Sequence, residues 1–280
     1  MHLVMILGAL GLAWFLRCGE FEPMGNWTER WQRALLLFLF PQLLLLMTAL
    51  AVCCMGPQGQ MVGLQAGWLG YLLALGFLGF AGVSGLKLAS EGWRSLRQVR
   101  TYSEINLDGK LARVLETDVP FSAQIGFWQS SLVVSQGLLK TLDQDHLDAV
   151  LAHEQAHYYY RDTFWFFWLG WLRRMTGWLP NTEALWQELL LLRELRADQW
   201  AVNQVDALLL AESLLQVVSG TMISSEDFCA AFSCSVPRNR LVERIDAILA
   251  EPESPVESSF WGWSWVILAS LPLVTVPFHS

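Results

Sequence analysis

The chain has 280 residues, of which 54% are hydrophobic and 16% charged, and its mean hydropathy is +0.35. That is too apolar for an ordinary soluble enzyme and points to one soluble domain carried with membrane segments. A net charge of −8 and a pI near 5.1 argue against a nucleic-acid partner.

In chain order, Leu3 to Leu16 is an apolar run that ends at Arg17. No basic residue precedes it and no A-x-A-like cleavage site follows, so it reads as a short membrane helix and not a signal peptide. Ala34 to Met55 is a second, uncharged span, kinked at Pro41, with Gln42 expected to hydrogen-bond to a neighbouring helix. Cys53 and Cys54 inside it read as packing residues. Gly56-Pro57-Gln58-Gly59-Gln60 is a tight turn. Residues 61–86 form a third span, in which Gly67, Gly70, Gly76, Gly79, Gly82 and Gly85 share a period of three. Such a stripe lets a neighbouring helix of the same bundle approach closely. The last span runs from about Phe260 to Phe278, behind a linker with Pro252 and Pro255, and Trp261, Trp263 and Trp265 mark its interfacial start.

All 18 Lys and Arg lie within residues 17–33 or 87–244. With four spans, both segments fall on one side of the membrane, the cytoplasmic side by the positive-inside rule. The reading is therefore a three-span bundle over 1–86, a cytoplasmic domain over 87–258 and a final span over 259–280, with both termini outside.

Within the domain, Pro120 to Ile125 and Ser131 to Ser135 read as short strands, and an edge of either could pair with an extended substrate. Residues 141–160 read as a helix with Asp143 as its cap. This helix holds His153-Glu154-Gln155-Ala156-His157, an H-E-x-x-H motif. Positions i and i+4 share a helix face, so both imidazoles can reach one ion, and two imidazoles suit zinc. Zinc lowers the pKa of bound water to about 7. Glu154, beside the first histidine, can serve as general base. The aromatic stretch 164–179 is too short to span and reads as an interfacial segment that holds the site near the lipid bilayer. A helix from Glu183 to about Gln204 follows. In it Glu194 can supply a third ligand, and Asp198, one turn on, can accept the free ring N–H of a ligating histidine. Glu183 and Glu188 are alternative third ligands. Leu208 to Ser219 is a further helix, and Val236 to Ile245 opens a last one, whose arginines could reach the cleft and stabilise an oxyanion but are expected first on a solvated face.

Several of these stretches resemble integral-membrane gluzincin peptidases: Val133 to Leu139, Leu147 to His157, Glu194 to Asp198 and Pro237 to Ile245. Three spans before the zinc motifs and one after are similar to the BlaR/MecR-type antirepressor peptidases. The HtpX and CAAX-prenyl-protease types share the motifs with another span arrangement. The resemblance implies an α-helical membrane protein with an α+β zincin-like peptidase domain and about four transmembrane helices. It implies zinc ligands His153, His157 and Glu194, Glu154 as base and Asp198 behind the ligands. It also implies endopeptidase action on a protein or peptide substrate, such as a repressor, at the cytoplasmic face. BlaR/MecR-type sensors carry an antibiotic-binding domain after the last span, and no such segment follows residue 278 here. A signal is therefore expected through the membrane part or a partner subunit. The competing class is a non-catalytic membrane subunit that keeps a peptidase fold.

Overall fold

A computed structural model of the chain describes residues 1–19, 25–61, 64–65, 67–107, 109–220, 240–250 and 264–278. The chain divides into two compact units. The first comprises Met1–Leu86, Trp171–Leu189 and Ser254–Ser280; the second comprises Lys87–Gly170 and Leu190–Glu253.

In the first unit, α1 (His2–Arg17) packs on α2 (Trp27–Met55). Asn26 starts α2 by accepting the Glu29 N–H, so this helix begins a full two turns before its apolar run. Small residues set the α1 contact: Ala9 and Ala13 meet Leu44, Leu45 and Leu179. A two-stranded ribbon, β1 (Gln60–Met61) with β2 (Leu64–Gln65), then leads into α3 (Trp68–Val99). That helix starts later and ends later than the apolar run alone predicts, because the polar residues after Leu86 continue the same helical rise. Among the described residues, α2 and α3 are the two helices long and apolar enough to cross a membrane. The α1 run, with 16 residues, is shorter. The C-terminal stretch is not one helix: it breaks into Trp265–Ala269, Leu271–Val274 and a 3-10 turn at Val276–Phe278. Pro272 and Pro277 lack the N–H that a continuous helix needs. Its expected start at Phe260 to Trp263, the linker prolines and Val236 to Asn239 lie outside the described residues.

Two expectations for this unit change. Two of the six glycines meet a neighbour among the described residues: Gly70 faces His2 and Gly85 faces the Trp171 indole, while Gly67, Gly76, Gly79 and Gly82 meet none there. Gln42 is fully buried, yet among the described residues neither its amide nitrogen nor its oxygen finds a hydrogen-bond partner. Charged groups are instead tied down at one end of the bundle. Arg17, 2% exposed, donates to Thr182 Oγ1 at 2.8 Å, and Arg30 meets the buried Glu188 at 2.7 Å.

The second unit is built on a four-stranded sheet of order β3-β4-β6-β5. Its strands are β3 (Ser103–Leu107), β4 (Lys110–Leu115), β5 (Ser122–Gly126) and β6 (Ser130–Ser135). The β4–β6 pair is parallel and the other two pairs are antiparallel. This order corrects the expectation of two strands with either edge free. Val133 sits in an interior strand, and β5 is the outer strand on that side. Ser135 ends β6 and caps α4 (Gln136–Thr141) by accepting the Leu138 N–H. There Gly137 leaves no room for a side chain: a Cβ would lie 2.1 Å from the Asp118 carbonyl oxygen.

Asp143 caps α5 (Gln144–Tyr160) through the His146 N–H. This helix is buried on two sides. Leu147, Val150 and Leu151 meet Ala112, Leu132 and Val134 of the sheet and Leu138 of α4. On another side, Ala149 and Ala152 meet Ala201, Leu210, Ala211 and Ile248. These last belong to α7 (Thr182–Val202), α8 (Ala207–Gly220) and α9 (Leu241–Leu249). The remaining direction of α5 carries the histidines. Arg161 ends the helix in the left-handed conformation, φ 54° and ψ 43°, and α6 (Asp162–Thr176) starts at once.

Candidate metal centre

Helical spacing on α5 sets His153 above His157, and their Nε2 atoms converge to 3.1 Å. Helix α7 brings Glu194 to the same point. One of its oxygens lies 3.3 Å from His153 Nε2 and the other 3.6 Å from His157 Nε2. All three donor atoms fall within 4.8 Å of one another. The other two candidate ligands are engaged elsewhere: Glu183 bonds Arg173, and Glu188 bonds Arg30.

Glu154 is 5% exposed. Ser122 on β5 donates to its Oε1 at 2.8 Å, while its buried Oε2 has no hydrogen-bond partner among the described residues. Asp198 lies beside His153, with Oδ1 2.8 Å from Nδ1, but off the direction of a straight hydrogen bond. Its two oxygens instead accept Arg244 Nε and Nη2, each at 2.8 Å. Arg244 Nη1 is also 3.3 Å from Glu194, whose Oε1 accepts two bonds from Arg193. His157 Nδ1 makes a 2.7 Å hydrogen bond to Asp162, and Arg196 donates to the other oxygen of that carboxylate.

The electrostatics follow from this packing. Burial disfavours charge on His153, but Asp198 and Glu194 outweigh it and raise the imidazole to about 9. Burial would raise the Glu194 carboxyl, yet Arg193, His157, His153 and Arg244 hold it well below the usual carboxylate range. Asp198 is likewise lowered against its burial, by Arg244 and then His153. Burial opposes the Arg244 charge, and Asp198 reverses that and raises its pKa.

These residues fit a divalent metal. Two imidazole nitrogens and one carboxylate converge, the opposite ring nitrogens face carboxylates, and a buried carboxylate oxygen beside them is unused. All five residues expected from the sequence are brought together: His153, Glu154, His157, Glu194 and Asp198. Sequence reading misses Ser122, Asp162 and Arg196. It also misplaces Arg244, expected on a solvated face and here 9% exposed. The signal for Arg244 lies in the apolar spacing of α9: Ile248, one turn on, is buried in the α5–α8 cluster and brings Arg244 in on the same face. Replacing Arg244 with Met should cost about 3–5 kcal/mol, because two buried carboxylates lose a shared cation. Denaturant unfolding of the metal-free protein measures this, and a cost under about 1 kcal/mol, typical of an exposed pair, would contradict the buried network.

No curated protein matches this sequence. The sequence model of Peptidase family M48 matches residues 103–251, just over half of the chain, and the match includes the whole cluster described above. The chain belongs to peptidase family M48, a family of metal-dependent peptidases.

Proposed function

We propose that this chain is an integral-membrane zinc endopeptidase that cuts a protein substrate at the cytoplasmic face, as BlaR/MecR-type peptidases do in regulated proteolysis. One observation carries the reading: His153, His157 and Glu194 converge on one point beside a buried Glu154 oxygen that has no partner among the described residues. Zinc held by these three side chains supplies Lewis acidity to a scissile carbonyl and to water. The remaining work falls to the chain. Glu154 Oε2 takes a proton from the attacking water and hands it to the leaving amine. Ser122 fixes Oε1 and so keeps Oε2 turned to that task. As the outer strand next to Glu154, β5 is the strand along which an extended substrate would lie.

The bilayer is the second partner. The α2 and α3 helices are long and apolar enough to cross it. At the start of α6, Trp165 and Trp168 are 59% and 42% exposed. They join Phe127 and Trp128 of the β5–β6 turn through edge-on ring contacts with Phe164. Exposed tryptophans in such a patch suit the lipid headgroup layer. Two measurements test the proposal together. Metal analysis of the purified chain should return zinc, and membranes bearing it should accumulate cytoplasmic fragments missing from a Glu154→Gln strain. Cysteine labelling from outside should modify Gln58→Cys and spare Asp145→Cys. Absence of Glu154-dependent fragments defeats the peptidase reading, and reversed labelling defeats the cytoplasmic site.

A further inference from the structure

We propose that Asp162 is a positioning residue of the metal centre: it holds the His157 ring through Nδ1, and Arg196 holds Asp162 in turn. The proposal rests on the metal-peptidase reading and adds a residue that the metal motifs do not contain. Asp162 is five residues past His157, so on a continuous helix it would not share the ring's face. The helix does not continue. Arg161 turns the chain in the left-handed region, with its N–H on the His157 and Tyr158 carbonyls, and this brings Asp162 back to the ring. The carboxylate is 2% exposed and both its oxygens are used, Oδ2 by His157 and Oδ1 by Arg196. Arg196 comes from α7, between Glu194 and Asp198, and its guanidinium lies 4.1 Å from the centre of the Tyr160 ring. The helix that supplies the third ligand therefore also fixes the carboxylate behind the second histidine.

The two histidines differ in how they are held. Asp198 is close to His153 Nδ1 but gives both oxygens to Arg244 in well-formed bonds. At His157 the ring nitrogen itself makes the well-formed bond. A proton held on Nδ1 leaves the Nε2 lone pair free and stops the ring from turning away from His153 Nε2. Of the two carboxylates, Asp162 thus fixes tautomer and ring angle more directly.

The competing explanation is structural: an acidic residue in the first turn of α6 suits the helix N-terminus, and the bond to Arg196 ties α6 to α7. The two are separated on the full-length chain in detergent, with zinc and cobalt(II) as probes. Zinc affinity is read by chelator competition, ligand geometry by the visible bands of cobalt(II), and stability by unfolding of the metal-free protein. Asp162→Ala should weaken zinc by about 10- to 100-fold and alter the cobalt bands. Asp162→Asn, whose amide oxygen still accepts the Nδ1 proton, should recover part of that loss. Arg196→Gln should lower stability with a smaller change in affinity than Asp162→Ala. Should Asp162→Ala fail to fold, Asp162→Leu, close in size and unable to accept the Nδ1 proton, decides: zinc affinity and cobalt bands matching wild type overturn the proposal, as does lowered stability with affinity unchanged. Wild-type protein that binds no zinc overturns the metal reading itself, whereas tight wild-type binding with indifferent variants overturns only the role of Asp162.

Discussion

Glu154→Gln should retain its metal and lose peptide cleavage by roughly 10²- to 10⁴-fold, the usual worth of a positioned general base. The substitution keeps the size of the side chain and leaves an oxygen to accept the Ser122 hydroxyl at the position now held at 2.8 Å. What it removes is the ability of the second oxygen to take a proton, and that oxygen is buried and has no hydrogen-bond partner among the described residues. Leaving a carboxylate oxygen buried and unpartnered is costly, and such an atom persists where function uses it. None of the three converging donor atoms is touched by the change, so metal content measured on the purified variant should equal wild type. A non-catalytic subunit with the same fold would behave differently. Its cellular phenotype would survive Glu154→Gln, because only shape matters there. A deletion strain with a clear defect, beside a Glu154→Gln strain without one, would overturn the peptidase assignment.

How far the sequence reveals this site depends on how local each contact is. His153, Glu154 and His157 share one helix turn, and the Asp143 cap is a side chain bonding a backbone three residues on. Short-range rules reach such features. Glu194 and Asp198 are also four apart, so their common face is legible even though their partner helix is not. Asp162 is invisible by the same logic: its role depends on the left-handed turn at Arg161, a conformation that no periodicity predicts for arginine. Ser122 and Arg244 reach the site through sheet order and helix packing, contacts of long range in sequence. The β3–β4 hairpin goes unread, because half-exposed strands of this kind lack strong alternation. In the first unit, hydropathy finds apolar runs but not their ends. Asn26 extends α2 backwards through polar residues, and prolines divide the last run.

The frame around the metal site is made of charges that would be costly if left alone. Glu194, Asp198 and Asp162 are each under 9% exposed, and each is met by at least one arginine. Buried pairs of this kind add little net stability, since desolvation offsets their attraction. They do fix direction. Two-pronged contacts from Arg193 and Arg244 leave Glu194 and Asp198 few ways to rotate. The arrangement gives up stability to hold three candidate donor atoms within 4.8 Å of one another.

The same frame makes the third ligand testable against its alternatives. Glu194→Gln should lose metal more severely than the roughly 10- to 100-fold expected from removing a residue behind the ligands, since an amide oxygen is a poor substitute for a carboxylate. Gln is the informative replacement. Glu194→Ala would leave Arg193 and Arg244 without the carboxylate they share, at a cost of about 3–5 kcal/mol, and could confuse unfolding with metal loss. His153→Ala should release metal in the same way, as one of three protein ligands. Asp198→Asn should fall between, because it weakens a neighbour of the ligand and not a ligand. Glu183→Gln and Glu188→Gln are the controls. Glu183 is exposed on Arg173, and Glu188 is buried on Arg30, so neither variant should change the metal content. Full metal in Glu194→Gln would remove Glu194 from the ligand set. Metal loss in Glu188→Gln, at unchanged stability, would transfer the role to a carboxylate that the folded chain commits to Arg30.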